Sequence, residues 1–427
     1  MTTPVAFIIF NRPDVTFKVF ERIRRAKPTQ LFIIADGPRP DRGGVEVQKC
    51  TQCRTVKDMV DWECEVHLNF AEKNMGCKNR VYSGISWVFE NVDEAIILED
   101  DCLPSLSFFR FCQELLEKYR YDTRVTTIAG MTTIPEDSFD GSYGFWSMPI
   151  TWGWATWKRS WDLMDINMTY WPEIKKSGYL KRVFPPNSWL NTSNEYTRTY
   201  EGKINTWDYQ FQFSNIINHA LCIVPKVNMV RNIGHGHRDA THTFDPLSKA
   251  RFVLEENIDF PLIHPNIMIP CEDFTQDIEP QKFDSEIIQD FQEREITFRR
   301  LLNAQDYNGV VNYFKETLKK VERLQPSYIY YLSIGCLMKG DYEHAVSFAE
   351  DILSWNIISP QAFMIFVQVF FERKHFAEAF TILDKILEKI SNVDEPFKKE
   401  IINATQLGNE NFYAEKYPNI SRLIERV

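Results

Sequence analysis

The stretch from Ala95 to Pro104 constrains the fold of this chain more than any other. Four apolar residues, Ala95 to Leu98, are followed at once by three carboxylates, Glu99, Asp100 and Asp101. An apolar run that ends in charge is typical of a buried strand in a parallel sheet. Because open α/β sheets bind ligands beyond the carboxyl ends of their strands, we expect these acids to lie at a ligand site.

Three adjacent carboxylates repel one another unless a cation neutralises them. Carboxylate oxygens suit Mg²⁺ or Mn²⁺, and Mg²⁺ typically combines one or two carboxylates with substrate phosphates. The triplet therefore predicts a metal–diphosphate site. The alternative is a solvated acidic turn, in which Asp101 caps a helix that begins near Pro104.

The surrounding pattern predicts a doubly wound α/β layer over about the first 130 residues, because short apolar runs alternate with helical periodicity. The predicted strands are Val5–Phe10, Leu31–Ala35, Cys64–Leu68 and Ala95–Leu98, and the predicted helices include Thr16–Arg25, Lys78–Glu90 and Ser105–Tyr119. The chain has no Gly-x-Gly-x-x-Gly or Walker-type loop before a helix. A nucleotide bound to this layer must therefore be held by side chains and a metal.

Polar side chains also follow the first two predicted strands. Asn11 and Arg12 come after the first strand, and Asp36 comes after the second. These positions share an edge with the acidic triplet if the strands are parallel. Arg12 is suited to a phosphate or a base, and Asp36 to accepting hydrogen bonds from a base or a ribose.

Tryptophan is concentrated in one part of the chain. The segment from Phe145 to Trp157 contains four of the eleven Trp residues, and Trp161 follows closely. Indole faces are good platforms for sugar rings, so the cluster as a whole favours a binding cleft. For any single Trp, packing in an aromatic core is the favoured alternative.

Further along the chain, an acid, Asp208, directly follows Trp207. Thr206 to Phe211 opens a predicted helix that runs to His219, and it places Asp208 among aromatic residues. Apolar surroundings can raise the pKa of a carboxylate and suit it to general-base catalysis. The alternative is an acid in the first helical turn that interacts with the helix dipole.

Three of the eight His residues fall in one Gly-containing segment, at His235, His237 and His242. This composition predicts a mobile loop that closes over a ligand. Such a loop could supply a metal ligand, or phosphate contacts from His237 and Arg238. A zinc site built from the three His residues is a less favoured alternative.

Composition excludes several classes of protein. A net charge of −10 argues against nucleic acid as the main partner. No apolar stretch approaches the roughly 20 residues that a membrane span needs, and the N-terminus lacks the basic flank of a signal peptide. We therefore expect a cytoplasmic protein with reduced cysteines. Four of these, Cys50, Cys53, Cys64 and Cys77, could form a zinc site, but ordinary buried thiols are favoured.

The last third of the chain has a different composition. After a polar linker, Cys271–Pro280, the sequence is helical in pattern from about Phe283. The segment Tyr328–Ala345 aligns with Ala362–Ala379 at an offset of 34 residues, and a weaker copy has Asp306-Tyr307 in place of Asp341-Tyr342. This period resembles tetratricopeptide repeats. We expect two domains, 1–280 and 281–427. The second is expected either to present a surface that docks a protein partner or guides an acceptor, or to be a helical bundle that stabilises the enzyme or mediates self-association as a dimer.

Residues 4–240 resemble the glycosyltransferase-A superfamily, in particular the branch of N-acetylglucosaminyltransferase I, the protein O-mannose N-acetylglucosaminyltransferases and their bacterial relatives. The Glu-Asp-Asp triplet resembles that family's Asp-x-Asp motif. The resemblance implies an α/β glycosyltransferase-A domain in which Asp101 contacts Mn²⁺ or Mg²⁺ and Glu99 and Asp100 address the ribose and sugar. It also implies uridine contacts from Arg12 and Asp36, and a nucleotide contact near Lys78.

The same resemblance assigns roles to later segments. Gly153-Trp154, with the preceding Trp152, resembles an acceptor-binding loop. Trp207-Asp208 resembles a pair in which the Trp lies on the acceptor side and the Asp is the catalytic base. The Gly-His segment resembles a loop that orders over the donor, which implies His235 at the metal and His237 and Arg238 at the donor.

The activity implied is transfer of a sugar, N-acetylglucosamine or another hexose, from a UDP-sugar to a glycan, lipid-linked or protein acceptor. A single displacement would invert the anomeric carbon, and the sequence leaves a retaining mechanism open. Bacterial members of the family imply polysaccharide or glycoprotein assembly at the inner face of a membrane. The rival hypotheses are a sugar nucleotidyltransferase-type enzyme, and an inactive carbohydrate-binding scaffold that acts through its repeats.

Overall fold

The computed structural model describes residues 1–132, 140–184, 189–234 and 253–270, and then 294, 296–320, 324, 326–355, 366–367, 369–370, 373, 375–389 and 420. The chain divides into two compact units, and the division along the sequence falls between Ile278 and Glu279. The first unit is a mixed α/β structure and the second is helical.

The first unit is built on a sheet in which eight strands are described. They are β1 (Val5–Ile9), β2 (Gln30–Ala35), β3 (Glu65–Phe70), β4 (Glu94–Glu99), β6 (Val125–Ala129), β7 (Tyr143–Trp146), β8 (Trp154–Trp157) and β9 (Leu221–Pro225). Their spatial order is β3-β2-β1-β4-β8-β6-β9-β7. The first four are parallel neighbours, β8 is antiparallel to both β4 and β6, β6 and β9 are parallel, and β7 is antiparallel to β9. A separate antiparallel ribbon joins β5 (Cys102–Pro104) to β10 (Val230–Asn232).

Helices connect the parallel strands, as the alternating sequence pattern predicts. They are α1 (Pro13–Ala26), α2 (Gly43–Arg54), a 3₁₀ turn (Thr55–Met59), α3 (Gly76–Asn91) and α4 (Leu106–Lys118). Short helices follow β8, namely α5 (Lys158–Trp161), α6 (Trp171–Ser177), α7 (Leu180–Val183) and α8 (Trp189–Tyr200), and α9 (Asp208–Ile217) precedes β9. Pro13 begins α1, where its missing N–H costs no helical hydrogen bond.

The central strands β1 and β4 carry buried apolar runs because both faces of the sheet are covered there. In β1, Val5, Phe7 and Ile9 belong to the apolar cluster formed with α1 and α4. Ala6 and Ile8 face the opposite cluster, which includes residues of α3. This two-residue alternation between two buried layers explains why β1 and β4 appear in the sequence as unbroken apolar runs. A smaller separate cluster surrounds Trp171 and Tyr196 among α6, α8 and α9.

The second unit contains α10 (Tyr307–Lys320), α11 (Pro326–Lys339), α12 (Tyr342–Trp355) and α13 (Phe376–Lys389), preceded by a helical stretch over 296–303. Three of these helices begin at the aligned aromatic positions Tyr307, Tyr342 and Phe376. The small residues that the alignment superimposes, Ala345 and Ala379, are fully buried. The prediction of an α/β domain with a mixed, mostly parallel sheet followed by a helical region is confirmed; tetratricopeptide identity stays a prediction.

No helix in the described part of the chain combines the length and the apolar character that crossing a bilayer requires.

Candidate active site

The acidic triplet lies at the carboxyl end of β4, where the central parallel strands end. Strands β1 and β4 are neighbours, and Ile8 pairs with Glu99. The segments that follow them therefore lie side by side. The alternative in which Asp101 caps a helix near Pro104 is wrong, because β5 intervenes and α4 begins only at Leu106.

Arg12, in the segment after β1, forms ion pairs with two of the acids. Its Nη1 lies 3.0 Å from Oδ2 of Asp101, and its Nη2 donates a short hydrogen bond to Oδ1 of Asp100. The other oxygen of Asp100 accepts a hydrogen bond from the backbone N–H of Phe10 at 3.3 Å. Burial alone would lower the pKa of Arg12, but the two carboxylates raise it above its usual value.

Negative charge at this edge exceeds positive charge. One guanidinium faces three carboxylates, and the pKa of Glu99 is raised to about 8 by burial and by the charges of Asp101 and Asp100. The charge of Asp208 raises the pKa of Glu99 further. The site therefore favours an additional cation.

The donor set fits a hard divalent cation that completes its coordination with substrate oxygens. Carboxylate oxygens are the ligands that Mg²⁺ and Mn²⁺ prefer, and one or two suffice when a diphosphate supplies others. Among the described residues, no group of three or more His, Cys, Asp or Glu side chains is arranged to hold a metal alone. The thiols of Cys50, Cys53, Cys64 and Cys77 are not joined in disulfides.

Asp36, at the end of β2, has its hydrogen-bonding capacity filled by the protein. Oδ1 accepts from the backbone N–H groups of Gly37 and Met75, at 2.8 and 2.9 Å. Oδ2 accepts from the Asn74 side chain at 3.0 Å and from the N–H of Gly76 at 3.2 Å. Burial nevertheless raises the pKa of Asp36. The carboxylate fixes the segment that enters α3, and its predicted contact with uridine stays a prediction.

The start of α3 is also held by Asn205, which lies three residues before Asp208. The backbone N–H of Lys78 donates to Oδ1 of Asn205 at 3.1 Å. Gly76 has φ +76°, and a Cβ there would lie 2.7 Å from Nδ2 of Asn205. Asn205 thus links the segment before α9 to the helix that Asp36 anchors. The side chain of Lys78 is partly exposed, and its donor contact stays a prediction.

Asp208 is the first residue of α9 and is partly exposed. Its Oδ1 accepts a short hydrogen bond from the hydroxyl of Thr206 and another from the N–H of Tyr209 at 2.9 Å. The described residues provide no hydrogen-bond partner for Oδ2. One oxygen is therefore oriented, while the other is open to a ligand.

The electrostatic surroundings of Cys77 include four acids from three different segments. Burial raises the pKa of this thiol, and so do the charges of Glu99, Asp208, Asp101 and Asp36, in that order. These carboxylates come from the ends of β4 and β2 and from the start of α9. The charges of Asp208 and of the triplet therefore act on the same thiol, although more than 100 residues separate them in sequence.

The β5–β10 ribbon brings a further segment to the acids. The N–H of Ile233 donates to the carbonyl of Asp101 at 2.8 Å, and Gly234 follows. A Cβ at Gly234 would lie 2.7 Å from Nη1 of Arg12 and would overlap Oδ2 of Asp101. His235, His237 and Arg238 come next and lie outside the described residues, as does His242, so their predicted roles stay predictions.

The prediction that Trp154 and Trp207 line an acceptor cleft needs correction. Trp154 is fully buried and Trp207 is 3 % exposed. Their rings stack with centroids 5.7 Å apart, and the centroid of Phe211 lies 5.1 Å from that of Trp154. The rings fill the apolar layer beneath α3 and α9, so they cannot offer faces to a sugar.

Gly153 has a structural reason for its identity. It has φ +67°, and a Cβ there would lie 2.8 Å from Val230 in β10. Its carbonyl accepts a hydrogen bond from Gly130 at 2.8 Å. Trp152 is partly exposed, so its predicted contact with an acceptor stays open as a prediction.

Sequence reasoning missed two residues of this region. Asn205 gave no signal, because a single Asn in a polar stretch is ordinary. Gly234 belongs to the Gly-His segment, but its contact with Asp101 depends on the pairing of β5 with β10, which are separated by about 130 residues.

Comparison with known proteins does not assign this chain to a family. The sequence matches no protein-family model and no curated protein. A solved structure of UDP-glucose pyrophosphorylase complexed with UDP-glucose is similar over 55 % of this chain and 94 % of its own, with 10 % identity and a TM-score of 0.29. That superposition is too poor to transfer the neighbour's activity to this chain.

Proposed function

We propose that the first unit is a metal-dependent glycosyltransferase that moves a hexose or N-acetylhexosamine from a UDP-sugar to a glycan, lipid-linked or protein acceptor. The observation that carries this proposal is the convergence of Asp208 with the acids at the end of β4. A cation-favouring triplet and an oriented carboxylate whose Oδ2 has no hydrogen-bond partner among the described residues would together supply the two requirements of such a reaction. These are stabilisation of a leaving diphosphate and removal of a proton from an acceptor.

Each acid has a role in this proposal. Asp101 holds Mn²⁺ or Mg²⁺, with Asp100 and Glu99 toward the ribose and the sugar. A bound cation would neutralise charge on the departing diphosphate. Asp208 accepts the proton of an acceptor hydroxyl through its open oxygen. The hydroxyl oxygen attacks the anomeric carbon, and the bond from that carbon to the diphosphate oxygen breaks, with inversion.

The test is donor turnover by the full-length protein. A panel of nucleotide sugars is incubated with and without Mn²⁺, and release of nucleoside diphosphate is measured. We expect slow hydrolysis of one UDP-sugar that requires metal, and a loss of at least 100-fold in Asp101→Ala. Asp162→Ala is the matched control, because Asp162 is an exposed acid paired with Lys158, and it should keep full activity.

The same assay separates the competing activities. Release of pyrophosphate or formation of a UDP-sugar from a sugar phosphate would indicate a nucleotidyltransferase and contradict the proposal. Absence of both turnover and nucleotide binding with metal present would contradict any catalytic role. Once an acceptor is found, Asp208→Asn should keep the affinity for the donor and lose transfer.

We further propose that the helices of the second unit serve a protein partner or self-association. The recurring helix starts at Tyr307, Tyr342 and Phe376 support a short repeat array, and such arrays commonly present binding surfaces. Sedimentation of the full-length protein over a range of concentrations tests self-association directly.

A further inference from the structure

We propose that Arg12 is an internal counter-ion that occupies the metal-binding oxygen of Asp101 in the free protein, and that cation and diphosphate displace it together. This inference rests on the proposed function, because it concerns the metal site used there. It gives Arg12 a role in coupling metal binding to nucleotide binding, in addition to a contact with the donor.

The first argument is that guanidinium and metal compete for one atom. Nη1 of Arg12 lies 3.0 Å from Oδ2 of Asp101. The other oxygen of Asp101 lies 3.6 Å from the thiol of Cys102, which is buried. A cation that binds Oδ2 would meet the positive charge of Nη1 at the same oxygen, and the repulsion between the two charges favours displacement of the guanidinium.

The second argument is that the pair is enclosed. The side chain of Arg12 is 14 % exposed and that of Asp101 is 12 % exposed. Gly234 covers the pair closely, since any Cβ there would meet both Oδ2 of Asp101 and Nη1 of Arg12. A cation has little room to bind beside an intact pair, so entry requires the guanidinium to move.

The third argument is that Arg12 can leave one acid without losing the other. Nη2 bonds to Asp100, which is itself fixed by the N–H of Phe10. The Asp100 pair can therefore act as a pivot while Nη1 turns away from Asp101. A planar guanidinium has donors suited to phosphate oxygens, so the diphosphate that arrives with the cation offers Nη1 a replacement partner.

The test is Mn²⁺ affinity in the absence of any nucleotide, measured from the free Mn²⁺ signal by electron paramagnetic resonance. Arg12→Gln removes the competing charge, so we expect it to bind Mn²⁺ at least 10-fold more tightly than the wild type. In the wild type, UDP should strengthen Mn²⁺ binding strongly. In the variant this enhancement should fall by at least 10-fold, because the diphosphate loses its guanidinium partner.

Two further variants make the result interpretable. Arg12→Lys keeps a positive charge, but a single ammonium cannot bridge both acids, so it should bind Mn²⁺ about threefold more tightly; it serves if Arg12→Gln does not fold. Arg24→Gln is the matched control, because Arg24 also pairs with two acids, Asp61 and Glu21, but on the surface. Its Mn²⁺ affinity should be unchanged.

The outcomes separate this inference from the function on which it rests. If the wild type binds Mn²⁺ with UDP, and the Arg12 variants bind Mn²⁺ alone no more tightly than wild type, the counter-ion role is overturned and the proposed function stands. If neither wild type nor variants bind Mn²⁺ with or without UDP, both are overturned.

Discussion

Two adjacent regions of the first unit were both expected to bind ligand, and they differ in what their side chains do. The acidic edge, defined as Glu99, Asp100 and Asp101 with Arg12, collects like charges and leaves them incompletely neutralised. The indole cluster, defined as Trp154, Trp161, Trp207 and Phe211, fills an apolar layer with rings in mutual contact. The first arrangement costs stability, whereas the second supplies it.

The contrast is sharpest between two consecutive residues. Trp207 is buried in the indole cluster, and Asp208 begins α9 with one oxygen free of hydrogen bonds to the described residues. The ring fixes the backbone from which the carboxylate projects. The indole cluster thus contributes to function by holding Asp208 in place, and the sugar-binding surface expected of its rings is absent.

The largest loss of stability is expected in Trp154→Ala. Removing a fully buried indole from contact with Trp207 and Phe211 should lower the free energy of unfolding by about 4 kcal/mol. Urea unfolding followed by circular dichroism measures this change. Trp152→Ala, which removes a partly exposed ring two residues away, should cost less than about 1.5 kcal/mol.

A Trp154→Ala protein as stable as the wild type, but with a raised KM for an acceptor, would restore the cleft interpretation. The corresponding variant of the acidic edge, Asp101→Ala, should lose turnover at nearly unchanged stability. Loss of stability in Trp154→Ala and loss of turnover in Asp101→Ala would together show that the indole cluster is structural and the acidic edge is functional.

The second prediction concerns Asp36, which belongs to the same sheet edge but is fully hydrogen-bonded. Asp36→Ala leaves the N–H groups of Gly37, Met75 and Gly76 without their acceptor and should cost about 3 kcal/mol. The KM for the donor should rise as the start of α3 loosens, which a thermal melt and a donor titration measure together. Asp41→Ala, at an exposed acid, is the control and should change neither. A rise in KM with no loss of stability would show that Asp36 contacts the nucleotide directly and does not act through α3.

The strands and the acidic edge could be predicted from the sequence because their signals are local. An apolar run buried on both faces has a characteristic composition, and β1, β2 and β4 were located to within about one residue at each end. Parallel pairing then places Arg12, Asp36 and the triplet at one edge whatever the rest of the chain does.

The direction of an indole ring could not be predicted, because it depends on contacts between distant segments. Trp154 faces inward since β8 inserts antiparallel beside β4, with Ile97 opposite Trp154. Nothing near residue 154 in the sequence encodes that pairing. The same holds for Gly234, which reaches Asp101 only through the β5–β10 ribbon.

The third prediction tests that ribbon. Gly234→Ala introduces a methyl group against Oδ2 of Asp101 and Nη1 of Arg12, and forcing these groups apart should cost about 2 kcal/mol. The affinity for UDP with Mn²⁺ should fall in parallel, as isothermal titration calorimetry can measure. Gly44→Ala adds the same methyl group where no atom lies within 4 Å, and should leave binding unchanged. Unchanged UDP binding in Gly234→Ala would mean that this contact opens when the site is loaded.

The smallest effect is expected at Asn205, which joins the segment of Asp208 to α3. Asn205→Ala removes the acceptor of the Lys78 N–H, at an exposed position, and should cost about 1 kcal/mol or less. Because the backbone before Asp208 is then held from one side only, kcat should fall several-fold while the KM for the donor stays constant. Asn91→Ala provides the control, since Asn91 also makes one exposed side-chain bond to the backbone, at Trp87. A change in donor KM without a change in kcat would place Asn205 with Asp36 on the donor side of the site, and would leave the indole cluster alone to position the base.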